Sequence, residues 1–396
     1  MKPVAVTGLG VISPLGCTRE AQLRALREGQ VGIRVSRSAE LRAMGVAGAG
    51  EVDFDPAGRN GERVELLALE ATRLALQDAG LAGEDLPART EVCVSTSKGP
   101  VQLLEASLCG ERPAAALHVV APDSASRLIA GEFGLEGPAS CRVAACATGL
   151  VSVTGAASAV AAGRLRLAIA GAAEASLTPF IHAGFRAMGA LVAGEGPAER
   201  MVRPFDRKRE GFLLGEGAAV FVLEDLSRAR QRGARVRVLL SGWAELCDAF
   251  DLVMPLPGGR TEFEAARLAL ERAGCSPDGV AGVWLHGTAT ARGDRAEIAA
   301  VERLANLRKS ELPATATKSL TGHMLGASGA VELGFAAMCL EAGFLPAIAN
   351  LEEPIAAHGA RLLTRPECGL EGNAYLVVSA GFGGHVAAVV LKTPQS

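Results

Sequence analysis

The 396-residue sequence has few aromatic side chains and no marked excess of charge of either sign. Phe, Trp and Tyr make up 4% of the residues, and 40 Lys and Arg stand against 43 Asp and Glu. Because a nucleic-acid-binding surface is usually basic and often stacks aromatic rings on bases, this composition argues against a nucleic-acid partner. Small residues are abundant instead. With 49% hydrophobic residues and 48 glycines, we expect a large core of closely packed helices.

Cysteine pairs are also missing from the sequence. The nine cysteines are scattered and include no Cys-x-x-Cys pair, which argues against a disulfide framework or a zinc site and favours a reducing, cytoplasmic compartment. Residues 7–14 begin like a dinucleotide-binding fingerprint, but the third glycine is absent at the required spacing. We therefore expect no metal and no cofactor.

The sequence offers one candidate membrane span. Residues 143–163 carry no charge over 21 positions, which is long enough to cross a bilayer. They are mostly Ala, Gly, Ser, Thr and Val, and this weak apolarity favours a helix buried inside the protein over a membrane span. At the N-terminus one Lys precedes a short apolar run that Gly and Pro interrupt, so we expect no secretory signal.

The chain repeats one of its own segments. Residues 70–80, EATRLALQDAG, match residues 264–274, EAARLALERAG, at eight of eleven positions. Both segments have apolar residues at helical spacing and end at glycine, a common residue just past the end of a helix. We interpret them as equivalent helices of a duplication. The alternative is chance similarity between two alanine-rich helices.

Two further similarities keep the same order along the chain. Residues 217–224 resemble residues 386–392, as the last apolar strand of each half. Residues 146–149 resemble residues 319–322, and each precedes a helix rich in small residues. The sequence therefore predicts two similar halves.

The predicted division between the halves lies in the charged segment 226–235. We assign residues 1–230 to an N-terminal half and residues 231–396 to a C-terminal half. In both, predicted strands alternate with predicted helices, which is typical of an α/β fold with mixed sheets covered by helices. Two such units packed together bury their shared helices, and residues 143–163 have the composition for that position.

Cys146 is the first candidate for a reactive group. It follows a predicted strand at residues 140–145 and opens a predicted helix over residues 147–162. Free backbone N–H groups and the helix dipole at a helix N-terminus lower the pKa of a thiol, and the thiolate is the nucleophilic form. The alternative is that Cys146 is a small buried core residue, as free cysteines often are.

Two other segments place histidines next to predicted strands or helices. His286 follows the apolar run 280–285, while Lys318 and His323 lie ahead of the second small-residue helix. Sites in α/β proteins usually form at the carboxyl ends of strands. Since the repeat matches the Lys318–His323 segment with Cys146, we expect these residues to face each other.

A glycine-rich turn at residues 379–385 follows a predicted strand and can expose backbone N–H groups to an oxyanion. Taken alone it is a weak turn signal. The remaining histidines have no comparable setting and are predicted to be structural or surface residues: His118, His182, His358 and His385.

Six segments together resemble the β-ketoacyl-acyl-carrier-protein synthases of the thiolase-like superfamily, nearly from end to end. They are residues 4–16, 144–149, 203–217, 286–290, 318–323 and 381–384. Each is modest alone, and their order along the chain makes the set specific. The resemblance implies a thiolase-like, five-layered αβαβα fold built from two similar halves, and a dimer.

The resemblance also implies an acyltransferase of the elongating type. A cysteine of the family takes the acyl chain from a carrier-protein thioester, which implies an acyl-Cys146 intermediate and ping-pong kinetics. A malonyl thioester then loses its carboxylate, and His286 and His323 stabilise the enolate that attacks the acyl-cysteine. The product is a β-ketoacyl-acyl carrier protein in fatty-acid or polyketide-type chain elongation.

Supporting roles follow from the same resemblance. The backbone N–H groups of the nucleophilic cysteine and of Phe382 hold the oxyanion, and Phe382 gates acyl and malonyl access. Lys318 pairs with Glu332 and keeps the charges of the site in order. Thr288 and Thr290 support the site.

The implied partners are an acyl carrier protein with its acyl and malonyl thioesters. The dimer is implied to form from two copies of the chain or with a chain-length-factor-like subunit. A basic patch is a candidate surface for an acidic partner, with a solvated charged face as the alternative. It consists of Arg203, Arg207, Lys208 and Arg209.

The chain departs from the family near the acyl pocket and its gating loops. Ala380 stands where the family usually has Phe, and His385 with Val386 replaces the usual Thr-Asn or His-Asn. Residues 95–100 lack the usual extra glycines, and residues 246–251 lack the usual serines. The length and type of the acyl group, and the pathway, are therefore open.

Two other functions compete with the condensing enzyme. A chain-length-factor-like subunit would shape a partner's pocket without catalysis, but such subunits usually lack the cysteine that stands here at Cys146. A thiolase-type acyltransferase would use coenzyme A without decarboxylation, but Lys318 and His323 resemble the malonyl-decarboxylating branch.

Overall fold

Strands and helices alternate along most of the chain in the computed structural model, which describes residues 1–396 except 56–57, 82–85, 114–119, 194–195 and 395–396. The strands are β1 (Val4–Ile12), β2 (Glu91–Ser95), β3 (Leu167–Glu174), β4 (Gly217–Asp225), β5 (Val238–Cys247), β6 (Val280–Trp284), β7 (Leu312–Thr315), β8 (Phe344–Leu345), β9 (Ala360–Leu362), β10 (Glu367–Cys368), β11 (Ala374–Gly381) and β12 (His385–Lys392). The helices are α1 (Arg19–Glu28), α2 (Ala39–Ala43), α3 (Arg63–Asp78), α4 (Val101–Leu108), α5 (Ser124–Glu132), α6 (Thr148–Ala161), α7 (Pro179–Ala187), α8 (Leu226–Gln231), α9 (Arg260–Arg272), α10 (Ala291–Ala305), α11 (Lys318–Thr321) and α12 (Ser328–Ala342).

Strands of the two halves use the same pairing pattern. The order in the large sheet is β2-β3-β4-β1-β5-β12-β11-β6-β7-β9. In the first half β4 is antiparallel to β1 and β3, and β2 is parallel to β3. In the second half β12 is antiparallel to β5 and β11, and β6 is parallel to β11. The halves join where β1 pairs with β5 through residues such as Val6 and Val238.

The helices form three layers around these strands. Helix α3 packs on β1 and β4, and α9 packs on β5 and β12, as outer layers. Helices α6 and α12 pack on each other and contact strands of both halves, as the central layer. The expected α/β architecture of five layers and two similar halves is therefore confirmed, while the division between residues 230 and 231 stays a prediction.

Small residues let the two central helices approach closely. A Cβ at Gly149 of α6 would clash with the backbone nitrogen of Ala330 in α12. From the opposite helix, a Cβ at Gly329 of α12 would lie 3.2 Å from the backbone nitrogen of Leu150 in α6. The abundance of small residues in the sequence thus serves the contact between the halves.

Both central helices are buried inside the protein. Helix α6 lies within residues 143–163, and most of its side chains are buried, as expected of a core helix. In the described part of the chain, one helix is long and apolar enough to cross a membrane by length and composition. It is Leu325–Ala342, and 89% of it is buried among other parts of the protein.

Two local predictions around Cys146 were wrong. The strand predicted at residues 140–145 does not form beyond an isolated bridge between Ala139 and Val92. The backbone N–H groups of Arg142 and Ala144 bond to the hydroxyls of Ser95 and Thr148 instead of to a neighbouring strand.

The third internal similarity also has a different register. Cys146 lies in a tight turn, Ala145–Ala147, ahead of α6, and the equivalent turn ahead of α12 is Leu325–Ala327. Residues 146–149 therefore correspond to residues 326–329. They do not correspond to residues 319–322, because Lys318–Thr321 forms a short helix of its own.

Candidate active site

The nucleophile candidate is buried where the tight turn meets the central helix. Cys146 is 7% exposed and lies one residue after Ala145, whose φ of 47° is unusual for a residue with a side chain. Such strained positions often occur at functional sites. The turn places the thiol at the beginning of α6, as the sequence predicts.

The expected lowering of the thiol pKa was wrong. Burial raises the pKa of Cys146 to about 11, although the positive charges of Lys98 and Lys318 act in the opposite direction. The apolar surroundings of the turn outweigh those charges because burial penalises the thiolate. At neutral pH the resting thiol is protonated, and it needs a base to react.

His323 is in position to be that base. Its Nε2 lies 3.2 Å from Cys146 Sγ, and its Nδ1 lies 2.8 Å from the hydroxyl of Ser328. Phe212 packs edge-on against the imidazole, with 4.7 Å between ring centroids. These contacts hold the ring so that one nitrogen faces the sulfur.

His286 stands next to His323, with ring centroids 5.4 Å apart and ring planes at 84°. Burial, with the positive charge of Lys318, lowers the pKa of both histidines well below the usual value. Both rings are therefore neutral at physiological pH. Neutral imidazoles can donate one hydrogen bond each without carrying a charge.

Lys318 fixes which nitrogen of His286 carries the proton. Its Nζ lies 3.2 Å from His286 Nδ1 and also donates to the carbonyl oxygen of His286 and, at 2.6 Å, to Glu332 Oε1. An ammonium group only donates, so Nδ1 must accept and Nε2 keeps the proton. The predicted pairing of Lys318 with Glu332 is present, and both side chains are buried.

Two buried carboxyl groups hold the His286 segment and the neighbouring Phe205 segment in place. Glu297 accepts the backbone N–H of His286 at 2.5 Å and that of Gly287 at 2.7 Å. Asp294 accepts the N–H of Phe205 at 2.6 Å. Burial raises the pKa of Glu297 to about 8 and that of Asp294 to about 7.

The sulfur and imidazole nitrogens lie within 4.8 Å of one another, a set that also occurs around zinc. Here the ammonium of Lys318 is 3.2 Å from one of those rings. Its charge repels a divalent cation, so the donor set does not suit a metal.

The turn that holds Phe382 lies directly beside the nucleophile. A Cβ at Gly381 would come 2.9 Å from the backbone nitrogen of Cys146, so only glycine allows this approach. The ring of Phe382 stacks on Phe185, with centroids 6.2 Å apart. The approach brings the Phe382 backbone and its ring to the edge of the site.

Cys146, His286, His323 and Phe382 all face one cavity of about 410 Å³. Thr288 and Thr290 line it as well, with 3.0 Å between their hydroxyl oxygens. The structure therefore brings these predicted site residues together, with Lys318 and Glu332 directly behind them.

Several residues of the site were not singled out in the sequence. Ser328 contacts His323, and the Ser379 hydroxyl bonds to the Cys146 carbonyl at 3.3 Å. His385, which was predicted to be a structural or surface residue, lines the cavity instead. Ser379 and His385 are the two ends of the glycine-rich turn that the sequence analysis considered, but only the tertiary structure shows which groups they contact.

The remaining histidines lie outside the cavity lining or outside the described residues, and the basic patch differs from the prediction. His182 and His358 lie away from the cavity lining, and His118 lies outside the described residues. The patch is smaller than predicted, because the Arg209 side chain is only 7% exposed and its Nε lies 3.5 Å from the Asp294 carboxyl group. Lys208 forms an ion pair with Glu353.

Comparison with known families covers most of the chain. The family model described as "Beta-ketoacyl synthase, N-terminal domain" matches residues 1–229. The model described as "Beta-ketoacyl synthase, C-terminal domain" matches residues 238–352.

Individual relatives match over their full length. The chain is 33% identical over 426 residues to the tetracenomycin polyketide synthase ketoacyl synthase alpha subunit of Streptomyces glaucescens, covering 100% of this chain and 98% of that protein. It is 32% identical over 420 residues to 3-oxoacyl-[acyl-carrier-protein] synthase 2 of Synechocystis sp., covering 100% and 99%.

Solved structures of ketosynthases superpose on nearly the whole chain. The ishigamide ketosynthase/chain length factor superposes with a TM-score of 0.90 at 30% identity, covering 100% of both chains. A type II polyketide ketosynthase, solved with its acyl-carrier protein and bound to the hexaketide, also gives 0.90, at 26% identity, covering 99% of this chain and 100% of that one. The chain has the thiolase-like fold and belongs to the β-ketoacyl synthase family.

Proposed function

We propose that the chain condenses an acyl thioester with a malonyl thioester, with loss of CO₂, and so forms a β-ketoacyl thioester through an acyl-Cys146 intermediate. The observation that carries this proposal is the 3.2 Å contact of Cys146 Sγ with His323 Nε2, beside a second neutral histidine in the same cavity. Relatives named 3-oxoacyl-[acyl-carrier-protein] synthase and polyketide ketoacyl synthase support it.

In the first half-reaction, His323 Nε2 takes the thiol proton while Cys146 Sγ attacks the acyl carbonyl. The backbone N–H groups of Cys146 and Phe382 hold the oxyanion of the tetrahedral intermediate. The bond to the carrier sulfur then breaks, and the leaving thiolate takes the proton back from His323. The raised pKa of the thiol makes this base necessary.

In the second half-reaction, the malonyl thioester loses CO₂, and the electron pair of the broken bond moves onto the thioester oxygen. Nε2–H of His286 donates to that oxygen, and His323 Nε2 donates as well once the ring proton has moved from Nδ1 to Nε2 by exchange with water, so that both stabilise the enolate. The enolate carbon attacks the acyl-Cys146 carbonyl, whose oxyanion forms at the same N–H groups. The Cys146 thiolate leaves and takes a proton from water.

Lys318 and Glu332 act as positioning residues in this scheme. The Lys318 ammonium keeps the His286 proton on Nε2, and its charge lowers the pKa of both histidines. Glu332 balances that buried charge, since an unpaired buried ammonium would be costly. Phe382 covers the sulfur side of the cavity as a gate, and Thr288 and Thr290 bind the arm of the thioester.

The thioester carrier is proposed to be an acyl carrier protein, as in the solved complex of a related ketosynthase. Arg207 is exposed and Arg203 half-buried, and together they keep the basic character of the predicted patch. Phe250 and Leu252 are exposed beside Val253, which lines the cavity. The basic residues would suit an acidic carrier, and the exposed Phe250 and Leu252 would suit an apolar contact with it.

The working unit is proposed to be a cytoplasmic dimer, of two copies of this chain or with a chain-length-factor-like subunit. Residues 138–143 run along the outer edge of β2, and Val143 there is 52% exposed. A sheet edge needs protection against uncontrolled pairing, and a second subunit placed here would cover it. Light scattering of the purified chain tests this, since a monomer at micromolar concentration would point to the two-chain alternative.

The activity is tested with the purified chain and carrier-protein substrates. Formation of β-ketoacyl product from acyl and malonyl carrier protein is the expected result. Product from acetyl thioester in place of malonyl would indicate a thiolase-type enzyme. Product only after adding a second subunit with its own nucleophilic cysteine would indicate a non-catalytic role for this chain.

A further inference from the structure

A buried carboxyl group that the proposed mechanism does not use lies on the wall of the reactive cavity. Glu262 is at the beginning of α9 and is 4% exposed, and its side chain lines the same cavity as Cys146 and His286. Its Oε2 has no hydrogen-bond partner among the described residues. Buried carboxyl oxygens are almost always paired, so this one needs an explanation.

The protein around Glu262 supplies no donor for that oxygen. Asp248 lines the same wall, but both of its oxygens accept backbone N–H groups, those of Phe250 and Leu256. Glu262 forms no ion pair among the residues the structure describes. Burial raises the pKa of Glu262 above its usual value, and the negative charge of Asp248 acts in the same direction.

The other side of Glu262 faces an apolar void. This void is about 20 Å³ and is lined mainly by side chains such as Phe263, Val283, Leu285 and Val378. The other polar group on its wall is Glu297, whose two oxygens already accept the backbone N–H groups of His286 and Gly287. The larger cavity, which Glu262 also lines, is the side from which a substrate can supply a donor.

We propose that Glu262 is a specificity-determining residue, which accepts a hydrogen bond from a hydroxyl or amide N–H of the thioester substrate. The inference rests on the proposed function, since it takes the cavity to be the thioester site. The donor belongs either to the acyl group or to the part of the pantetheine arm beyond the amide that N-acetylcysteamine shares with it. A plain alkyl thioester without that donor leaves the carboxyl unpaired and is disfavoured.

The cavity as a whole fits a polar occupant on this side. Asp248, Glu262 and His385 lie along its wall, while Phe185 and Phe212 form an apolar part near the nucleophile. A substrate that is apolar near the reacting carbon and carries a donor farther along would match both parts. Asp248 and His385 lie in segments that depart from the family pattern, so these departures are connected here to the type of substrate.

The test compares four thioesters on one chain. Hexanoyl and 5-hydroxyhexanoyl groups are each attached to pantetheine and to N-acetylcysteamine, and the rate of Cys146 acylation is followed by intact mass. The variants are Glu262→Gln, which keeps an accepting oxygen, and Glu262→Met, which does not. Glu264→Gln is the control, because Glu264 is on the same helix but is partly exposed and paired with Arg267.

In the native chain the substrate with the donor is expected to react about tenfold faster at equal concentration, as one hydrogen bond to a carboxylate allows. A preference for the hydroxylated chain assigns the donor to the acyl group, and a preference for pantetheine assigns it to the arm. Glu262→Met should abolish the preference, Glu262→Gln should keep part of it, and Glu264→Gln should keep all of it.

Stability gives a second, independent readout. Removing an unpaired buried carboxyl should raise Tm, so Glu262→Met is expected to be more stable than the native chain without substrate. Preferences that are absent in the native chain, or unchanged in Glu262→Met, would overturn the inference. A lower Tm in Glu262→Met with unchanged preference would mean a purely structural role. No acylation of Cys146 by any thioester would instead overturn the proposed function, and the inference with it.

Discussion

The turns that begin the two central helices have the same backbone shape and differ in what lies at their N–H groups. Ala145 has φ of 47° and Leu325 has φ of 44° at equivalent positions. The N–H of Gly326 donates to the buried carboxyl of Glu174 at 3.1 Å, whereas the equivalent N–H, that of Cys146, lies beside Gly381. The N–H groups of the duplicated turn are thus suited to a negatively charged oxygen. In the turn ahead of α12 the protein supplies that oxygen itself, from Glu174, and in the turn that holds Cys146 it does not.

The two halves also divide the chemistry between them. The N-terminal half supplies the thiol of Cys146. The C-terminal half supplies the base, the second histidine and the buried Lys318–Glu332 pair. Because the central helices pack against each other, the duplication places the nucleophile of one half against the proton-handling groups of the other.

Removing the thiol from the N-terminal turn is expected to have the largest effect on the condensation rate. Cys146→Ala removes the nucleophile, and the condensation rate is expected to fall by at least about 10⁴-fold, as when other enzymes lose theirs. Tm should change little, since alanine fits the turn. The measurement is product formation by mass spectrometry, with Cys275→Ala as the active control. Residual condensation above about 1% would show that Cys146 is not the nucleophile.

Removing the base of the C-terminal half should come next. His323→Ala is expected to slow acylation of Cys146 by about 10²–10³-fold at pH 7, the usual contribution of a general base. Because the pKa of the thiol is about 11, the variant should regain rate steadily as the pH is raised from 7 to 10. Stopped-flow acylation at several pH values checks this. Equal rates in the variant and the native chain at pH 7 would contradict the role of His323.

Adding one methyl group to the C-terminal turn sharpens the comparison. At Gly326 a Cβ would lie 2.7 Å from Glu174 Oε2 and 2.8 Å from the Cβ of Ser97. Gly326→Ala is therefore expected to lower the free energy of unfolding by about 1–3 kcal/mol, although Cys146→Ala at the equivalent position lowers it less. Urea denaturation of both variants measures this difference. Equal stability of the Gly326→Ala and Cys146→Ala variants would contradict the difference in packing between the two turns.

The smallest expected effect is on the pH dependence of stability. Glu297 and Asp294 have raised pKa values, about 8 and 7, so the folded state holds protons that the unfolded chain releases at lower pH. The free energy of unfolding should therefore fall as the pH rises from 6.5 to 8.5, by about 2 kcal/mol. Below pH 6.5 the two histidines with lowered pKa act in the opposite direction.

Urea denaturation across that range provides the measurement. The Glu297→Gln variant should have a flatter profile, because its side chain no longer titrates, and Glu264→Gln should match the native chain. A free energy of unfolding that rises between pH 6.5 and 8.5 would contradict the raised pKa values of these carboxyl groups.

Much of the fold was predictable because the duplication is visible in the sequence. The matched segments, residues 70–80 and 264–274, lie largely in α3 and α9, which occupy equivalent outer positions. The register of the third similarity failed because the short helix Lys318–Thr321 has no counterpart ahead of Cys146. Local sequence similarity does not distinguish two turns that lie a few residues apart.

The residues of the site were predictable as a set, but their electrostatics were not. A thiol at a helix N-terminus is expected to be acidic, and only the tertiary structure shows that burial of Cys146 reverses this. Arg209 reads as part of a basic surface, yet it is folded inward against Asp294. Glu262 reads as an ordinary acidic residue in a first helical turn, and its unpaired burial is likewise a property of packing.

The central claim is that Cys146 carries the acyl group between the two half-reactions, and peptide mass measures this directly. Trypsin releases residues 143–164 as one peptide, in which Cys146 is the sole cysteine. After incubation with an acyl thioester this peptide is predicted to gain the mass of the acyl group, and to lose it when a malonyl thioester is added. An acyl group on another cysteine, or one that malonyl thioester does not remove, would contradict the account.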